Sequence, residues 1–170
     1  MTETSRQVAL TVLQPEQLHM VAALWHEGWH DAHAEIVPDD LVALRTLASF
    51  HDRLNRLMND TRVAVDDETV LGFCILKGDE LNQMYVARAA RGMGLAQTLM
   101  QDAEDRLRNA GHVRAWLACG VGNNRAARFY EKSGWTRAGL DTVNLDTSVG
   151  AYSLEICRYE KDLSARQSEA

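Results

Sequence analysis

The run "LNQMYVARAARGMGLAQTLM", residues 81–100, decides the fold. Its start has the alternation of a strand that ends near Val86, and its end has the apolar spacing of a helix that opens at about Gly94. Between them lies a basic loop holding Gly92 and Gly94, whose backbone can approach a ligand closely. Successive N–H groups at a helix start, aided by the helix dipole, form an anion site suited to a phosphate. Arg91 adds fixed positive charge there, and Ala96 keeps the first helical turn small. Two known phosphate loops do not fit. A dinucleotide fingerprint would need Gly or Ala where Gln97 stands, and an acid at the end of the next strand. A Walker A loop would need Gly-Lys-Ser/Thr, which is absent.

On the N-terminal side, "VALTVL" (8–13) reads as a strand, and Pro15 opens a helix that runs to about His33. After Pro38, Leu41, Leu44, Leu47, Leu54 and Leu57 form the apolar stripe of a second helix. Residues 61–86 read as three strands, the first two joined by a tight turn at Asp66–Glu68. On the C-terminal side the helix opened at Gly94 stops at Gly111. Strand 112–120, helix 123–134 and strand 135–140 follow, then a loop over 141–150 and a closing strand 151–163. The order β-α-α-β-β-β-α-β-α-β-β predicts an α/β (α+β) domain. Its mixed, mostly antiparallel sheet should have about seven strands, helices on both faces, and one parallel strand pair made by the 94–110 crossover. The chain reads as a single domain over 1–170, with ends 1–6 and 162–170 expected to fray.

Composition narrows the function classes. A net charge of −6 gives no electrostatic argument for nucleic acid or an anionic membrane, and is compatible with an amine-bearing substrate. No segment reaches the roughly 18 apolar residues of a membrane span, and the first residues do not read as a secretion signal. Cys74, Cys119 and Cys157 are odd in number and widely spaced, as expected of reduced thiols in a cytoplasmic protein.

"HEGWHDAH" (26–33) contains His-Glu-x-x-His, a zinc-peptidase pattern made by His26, Glu27 and His30. A third ligand is missing from its usual places: position 36 is Ile, and no Glu lies between Glu35 and Glu68. His33 shares the face, but three imidazoles in line on one helix do not close a tetrahedron. No metal is expected.

About 30 residues beyond the glycine loop stands "NNRAARFYEKSGW". Here the chain resembles the GCN5-related N-acetyltransferase (GNAT) superfamily. The family's coenzyme loop, Arg/Gln-x-x-Gly-x-Gly/Ala, corresponds to Arg91, Gly92, Met93, Gly94, Leu95 and Ala96. Its second signature corresponds to Asn123, Ala126, Phe129, Tyr130, Glu131, Lys132, Gly134 and Trp135.

The resemblance implies an acetyl-CoA-dependent N-acetyltransferase acting on a small amine by direct attack on the thioester. A non-catalytic acyl-CoA sensor and a protein N-terminal or lysine acetyltransferase are the alternatives. It implies that loop 91–96 binds the pyrophosphate. The strand edge at Met84, Tyr85 and Val86 is then expected to pair with the pantetheine arm, with the Met84 N–H facing the thioester oxygen. Asn123 and Ala126 lie at the other arm of the cleft, and Tyr130 holds the general-acid position. Glu80, assigned by strand period to the face of Asn82, Met84 and Val86, is the candidate base, directly or through water, with Asp79 second. Trp25, Trp29, His30 and His33, with the 141–148 loop, are the candidate acceptor-binding residues, aromatic and acidic groups suited to a cationic amine. Homodimerisation is an expectation by analogy with such folds.

Overall fold

The computed structural model describes residues 7–164. Strands β1 (Ala9–Val12), β2 (Thr61–Asp66), β3 (Thr69–Lys77), β4 (Glu80–Val86), β5 (Arg114–Gly120), β6 (Thr136–Thr147) and β7 (Gly150–Asp162) form one sheet of seven strands in the order β1-β2-β3-β4-β5-β7-β6. Every neighbouring pair is antiparallel except β4–β5. That parallel pair requires a crossover, and α4 (Leu95–Asn109) supplies it.

Helices α1 (Leu18–His33), α2 (Asp39–Leu44) and α3 (Leu47–Arg56) cover one face. There Trp25, Leu41, Phe50 and Leu54 pack on Val63, Phe73 and Ile75, all fully buried. Helices α4 and α5 (Asn124–Lys132) cover the other, where Leu99, Ala103 and Leu107 meet Cys74, Leu117 and Tyr159. β3 is apolar almost throughout because it is buried on both faces. No helix among the described residues is long and apolar enough to cross a membrane.

Three sequence expectations are corrected. The second helix is two helices, broken at Arg45. Thr46 caps the start of α3 through a bond from the Ser49 N–H (3.1 Å), and the Arg45 carbonyl turns aside to meet His30 (2.6 Å). The expected 141–150 loop is strand: β6 continues through Thr147, and only Ser148 and Val149 make the turn into β7. The expected fray from 162 is absent at its start. Asp162 pairs with Arg114, and buried Leu163 donates its N–H to the Val113 carbonyl (2.8 Å). Residues 1–6 and 165–170 lie outside the described residues.

Candidate active site

β4 and β5 touch only at one register pair, Glu80 with Trp116, and then diverge. The backbone edge of β4 from Leu81 to Val86 therefore has no neighbour on that side, and a cleft of about 640 Å³ opens beside it. Trp116 secures the junction: its backbone N–H donates to the Asp79 carbonyl (3.2 Å) and its indole to the Asp79 carboxylate (3.1 Å).

β4 also carries one extra residue. Ile75 faces Gln83 and Leu76 faces Leu81, so Asn82 is a bulge. The bulge overturns the face expected for Glu80. Leu81 joins Met84 and Val86 against the α4 side, while Tyr85 packs on the α1 side. Glu80 lies opposite Leu81, in the cleft, and accepts a hydrogen bond from the Asn82 amide (3.1 Å). Burial lifts its carboxyl above the usual range, with the Asn82 bond and Lys77 opposing.

At one end of the cleft lies the glycine loop. Gly92 and Gly94 have φ of 82° and 77°, and no atom lies within 4 Å of where a Cβ would stand. Gly94 caps α4 in the left-handed conformation, leaving the N–H groups that follow at an open helix start. Arg91 and Ala96 line the cleft, Leu95 is buried in the core, and Met93 is exposed. The Arg91 guanidinium is shared: Asp31 on α1 accepts from it (3.4 Å) and from Arg88 (3.0 Å), and these bonds hold the Asp31 carboxyl below its usual range. Arg125 also lines the cleft. It escaped the sequence reading, although it stands two residues after Asn123 on the helix that points there.

On the far wall, Asn123 caps α5 by accepting the Ala126 N–H (3.4 Å), and both residues face the cleft. Tyr130 is packed between Phe129 and Tyr159 (centroids 5.7 and 5.9 Å), and its hydroxyl has no hydrogen-bond partner among the described residues. Burial pushes its pKa well above the usual phenol range, so it stays protonated. Cys119, also lining the cleft, has its thiol pushed up to about 11 by burial, so it is a poor nucleophile. All three cysteines are buried and free.

The acceptor candidates divide. Trp29 and His33 line the cleft, the two rings stacked at 5.1 Å. His33 Nδ1 pairs with the Trp29 carbonyl (3.0 Å), and burial lowers its pKa, keeping it neutral. Trp25 does not reach the cleft: it is fully buried between Phe50 and Phe73 (5.0 and 5.8 Å). Nor does His30, whose Nε2 bonds the Arg45 carbonyl and ties α1 to the break before α3. Among the described residues no group of three or more His, Cys, Asp or Glu is arranged to hold a metal. Two residues unforeseen in the sequence, Arg53 and Arg56 of α3, join Asn144 and Asp146 of β6 at this end.

Known proteins share this architecture. The model of the Acetyltransferase (GNAT) family matches residues 19–135. An N-acetyltransferase of Mycobacterium tuberculosis strain H37Rv, itself uncharacterised, is 32% identical over 119 residues, 61% of this chain and 76% of that protein. Among solved structures, a GCN5-related N-acetyltransferase from Rhodopseudomonas palustris superposes with a TM-score of 0.71 at 22% identity, covering 91% of this chain and 94% of that one. PaiA N-acetyltransferase from Thermoplasma acidophilum, solved with coenzyme A, gives 0.66 at 19% identity, over 92% and 99% of the two chains. The splayed strands, the glycine loop before α4 and these matches make the chain a member of the GNAT acetyltransferase family, an N-acetyltransferase whose cofactor is acetyl-CoA.

Proposed function

We propose that the chain transfers an acetyl group to the primary amine of a small molecule by direct attack on the thioester. The observation that carries this reading is that Glu80 and Tyr130, a carboxylate and a phenol, line the one cleft that opens beside the unpaired β4 edge.

The residues fit the coenzyme. Space stands open over Gly92 and Gly94 at the start of α4, and Arg91 and Arg125 supply charge for phosphates. The free edge of β4, including Met84, Tyr85 and Val86, offers backbone groups to an extended pantetheine arm. Acetyl-CoA supplies an acetyl group already activated as a thioester. The rest is proton management by the chain. Glu80, raised by burial, is a stronger base than a free carboxylate and takes the proton that the amine must lose. Tyr130, held protonated, gives its proton to the sulfur that leaves. The neutral His33 and Trp29 present an aromatic wall to the acceptor.

The test is incubation with acetyl-CoA and a panel of small primary amines beside a lysine-containing peptide, following free thiol. The expected result is thiol release with members of the small-amine set. Release with the peptide alone, or with no amine while acetyl-CoA still binds, would overturn the proposal.

A further inference from the structure

The cleft's charge is the reverse of the chain's. The protein carries −6 overall, yet the cleft is lined by Arg53, Arg56, Lys77, Arg91 and Arg125 against only Glu80 and Asp146. Most of these cations have a counterpart. Arg91 is bonded to Asp31, and Arg125 lies within the field of the same carboxylate at the loop end, where phosphates are expected. Lys77 stands opposite Glu80 in the β3–β4 register. Arg56 pairs with the Asp146 carboxylate at 2.9 Å.

Arg53 has none. Its guanidinium carbon lies 4.5 Å from the ring centre of Trp25 and 5.8 Å from that of Phe50, and no hydrogen bond or ion pair engages it among the described residues. The one carboxylate whose field reaches it, Asp146, is already paired with Arg56. Arg45, only 2% exposed, spends one Nη on the Asp146 carbonyl (2.7 Å) and leaves its Nε without a partner. Desolvation, and after it the neighbouring Arg45, pull Arg53 below the usual arginine range against the opposing field of Asp146. A half-buried guanidinium without a bonded anion is costly, and contact with the Trp25 and Phe50 rings leaves its N–H donors unengaged.

We infer that Arg53 receives an oxyanion of the acceptor, so that the amine acetylated here also carries a carboxylate or phosphonate-type group. This rests on the proposed small-amine reading and deepens it. It also reverses the expectation of a cation-binding acceptor site. The aromatic cage expected of Trp25 is already occupied, by the protein's own arginine. Guanidinium and oxyanion form paired charge-assisted bonds, and that geometry accepts carboxylate and phosphonate alike.

The experiment has two arms. In the first, kcat/KM is compared within matched pairs: 3-aminopropanoate against propylamine, and 2-aminoethylphosphonate against ethylamine. The oxyanion-bearing member should lead by roughly 10²-fold through KM, and Arg53→Gln should collapse that ratio toward unity, with Arg53→Lys intermediate. In the second arm no amine is needed. The Arg53 Nε–Hε resonance, identified by its loss in Arg53→Gln, should shift saturably with propionate or methylphosphonate and not with ethylamine; the stronger response names the oxyanion preferred. Equal rates within each pair and a silent resonance would overturn the inference while leaving the small-amine reading intact. A saturating shift without turnover of any small amine would overturn that reading and leave the anion site standing. Arg53→Lys serves if the glutamine variant fails to fold.

Discussion

Glu80 and Tyr130 are moved in the same direction by the same cause, burial, yet the two shifts have opposite uses. A raised carboxyl becomes a better base, whereas a raised phenol remains a proton donor. Tyr130→Phe keeps the ring between Phe129 and Tyr159 and removes only the hydroxyl. It should lower kcat by roughly 10²-fold with acetyl-CoA affinity unchanged; an unaltered kcat would exclude the phenol from proton transfer. For Glu80 the raised pKa also affects stability. The folded chain holds this proton more firmly than the unfolded one, so the contribution is present at low pH and fades as pH rises through the folded value. Glu80→Gln, fixed in a neutral form, should therefore match wild type in Tm near about pH 4 and exceed it near about pH 8, while acetyl transfer falls by roughly 10²-fold. A Tm difference that does not vary with pH would contradict the burial of this carboxyl. Asp31 makes a third case. Its removal in Asp31→Asn frees Arg88 and Arg91, and coenzyme A should bind roughly two- to fivefold tighter at low salt, an advantage that salt erases.

At the level of elements, the contact between α1 and β4 shows what the sequence can and cannot disclose. Gly28 lies in the stretch that looks like a metal motif, and its role is spatial. A Cβ there would stand 2.6 Å from the Tyr85 ring. Gly28→Ala must displace α1 or the Tyr85 ring stacked on Phe73, costing about 1–3 kcal/mol, seen as a Tm lower by several degrees; a neutral substitution would show that the contact yields freely. The helices and strands were legible because Leu99, Ala103 and Leu107, or the apolar run of β3, have periods that burial enforces. The bulge at Asn82 was not, since one inserted residue leaves no trace in composition yet turns Glu80 to the other face. The 141–150 segment was misread although Val143 and Leu145 alternate as strand residues should, because its polar surroundings resemble a loop. The glycine loop was legible as an anion site from its own residues, and Tyr130 was found through the family resemblance. Arg53 was not, because a charged residue in an amphipathic helix ordinarily faces water; only contacts across the fold, such as Arg45 with Asp146 and Tyr152 with Asp40, draw this end of the cleft together.

In the molecule as a whole, the gap between β4 and β5 should respond to ligand as a unit. Acetyl-CoA should slow amide exchange across residues 81–86 and at the start of α4, while the β1–β2 pair, on the far side of the sheet, changes little. Uniform protection of the whole sheet would mean that ligand acts through global stability and not by filling the gap. The single Glu80–Trp116 pair has a further consequence for how the chain comes apart. It divides the sheet into an N-terminal set, β1 to β4, and a C-terminal set, β5 to β7, each held internally by long antiparallel ladders and joined within the sheet at one register pair. The seam is then a natural place for local opening in the ligand-free chain, with α4, packed on both sets, as the tie across it. A coenzyme lying in the gap and touching both halves would couple them. Its presence would then be read in the sharpness of the unfolding transition as well as in its midpoint.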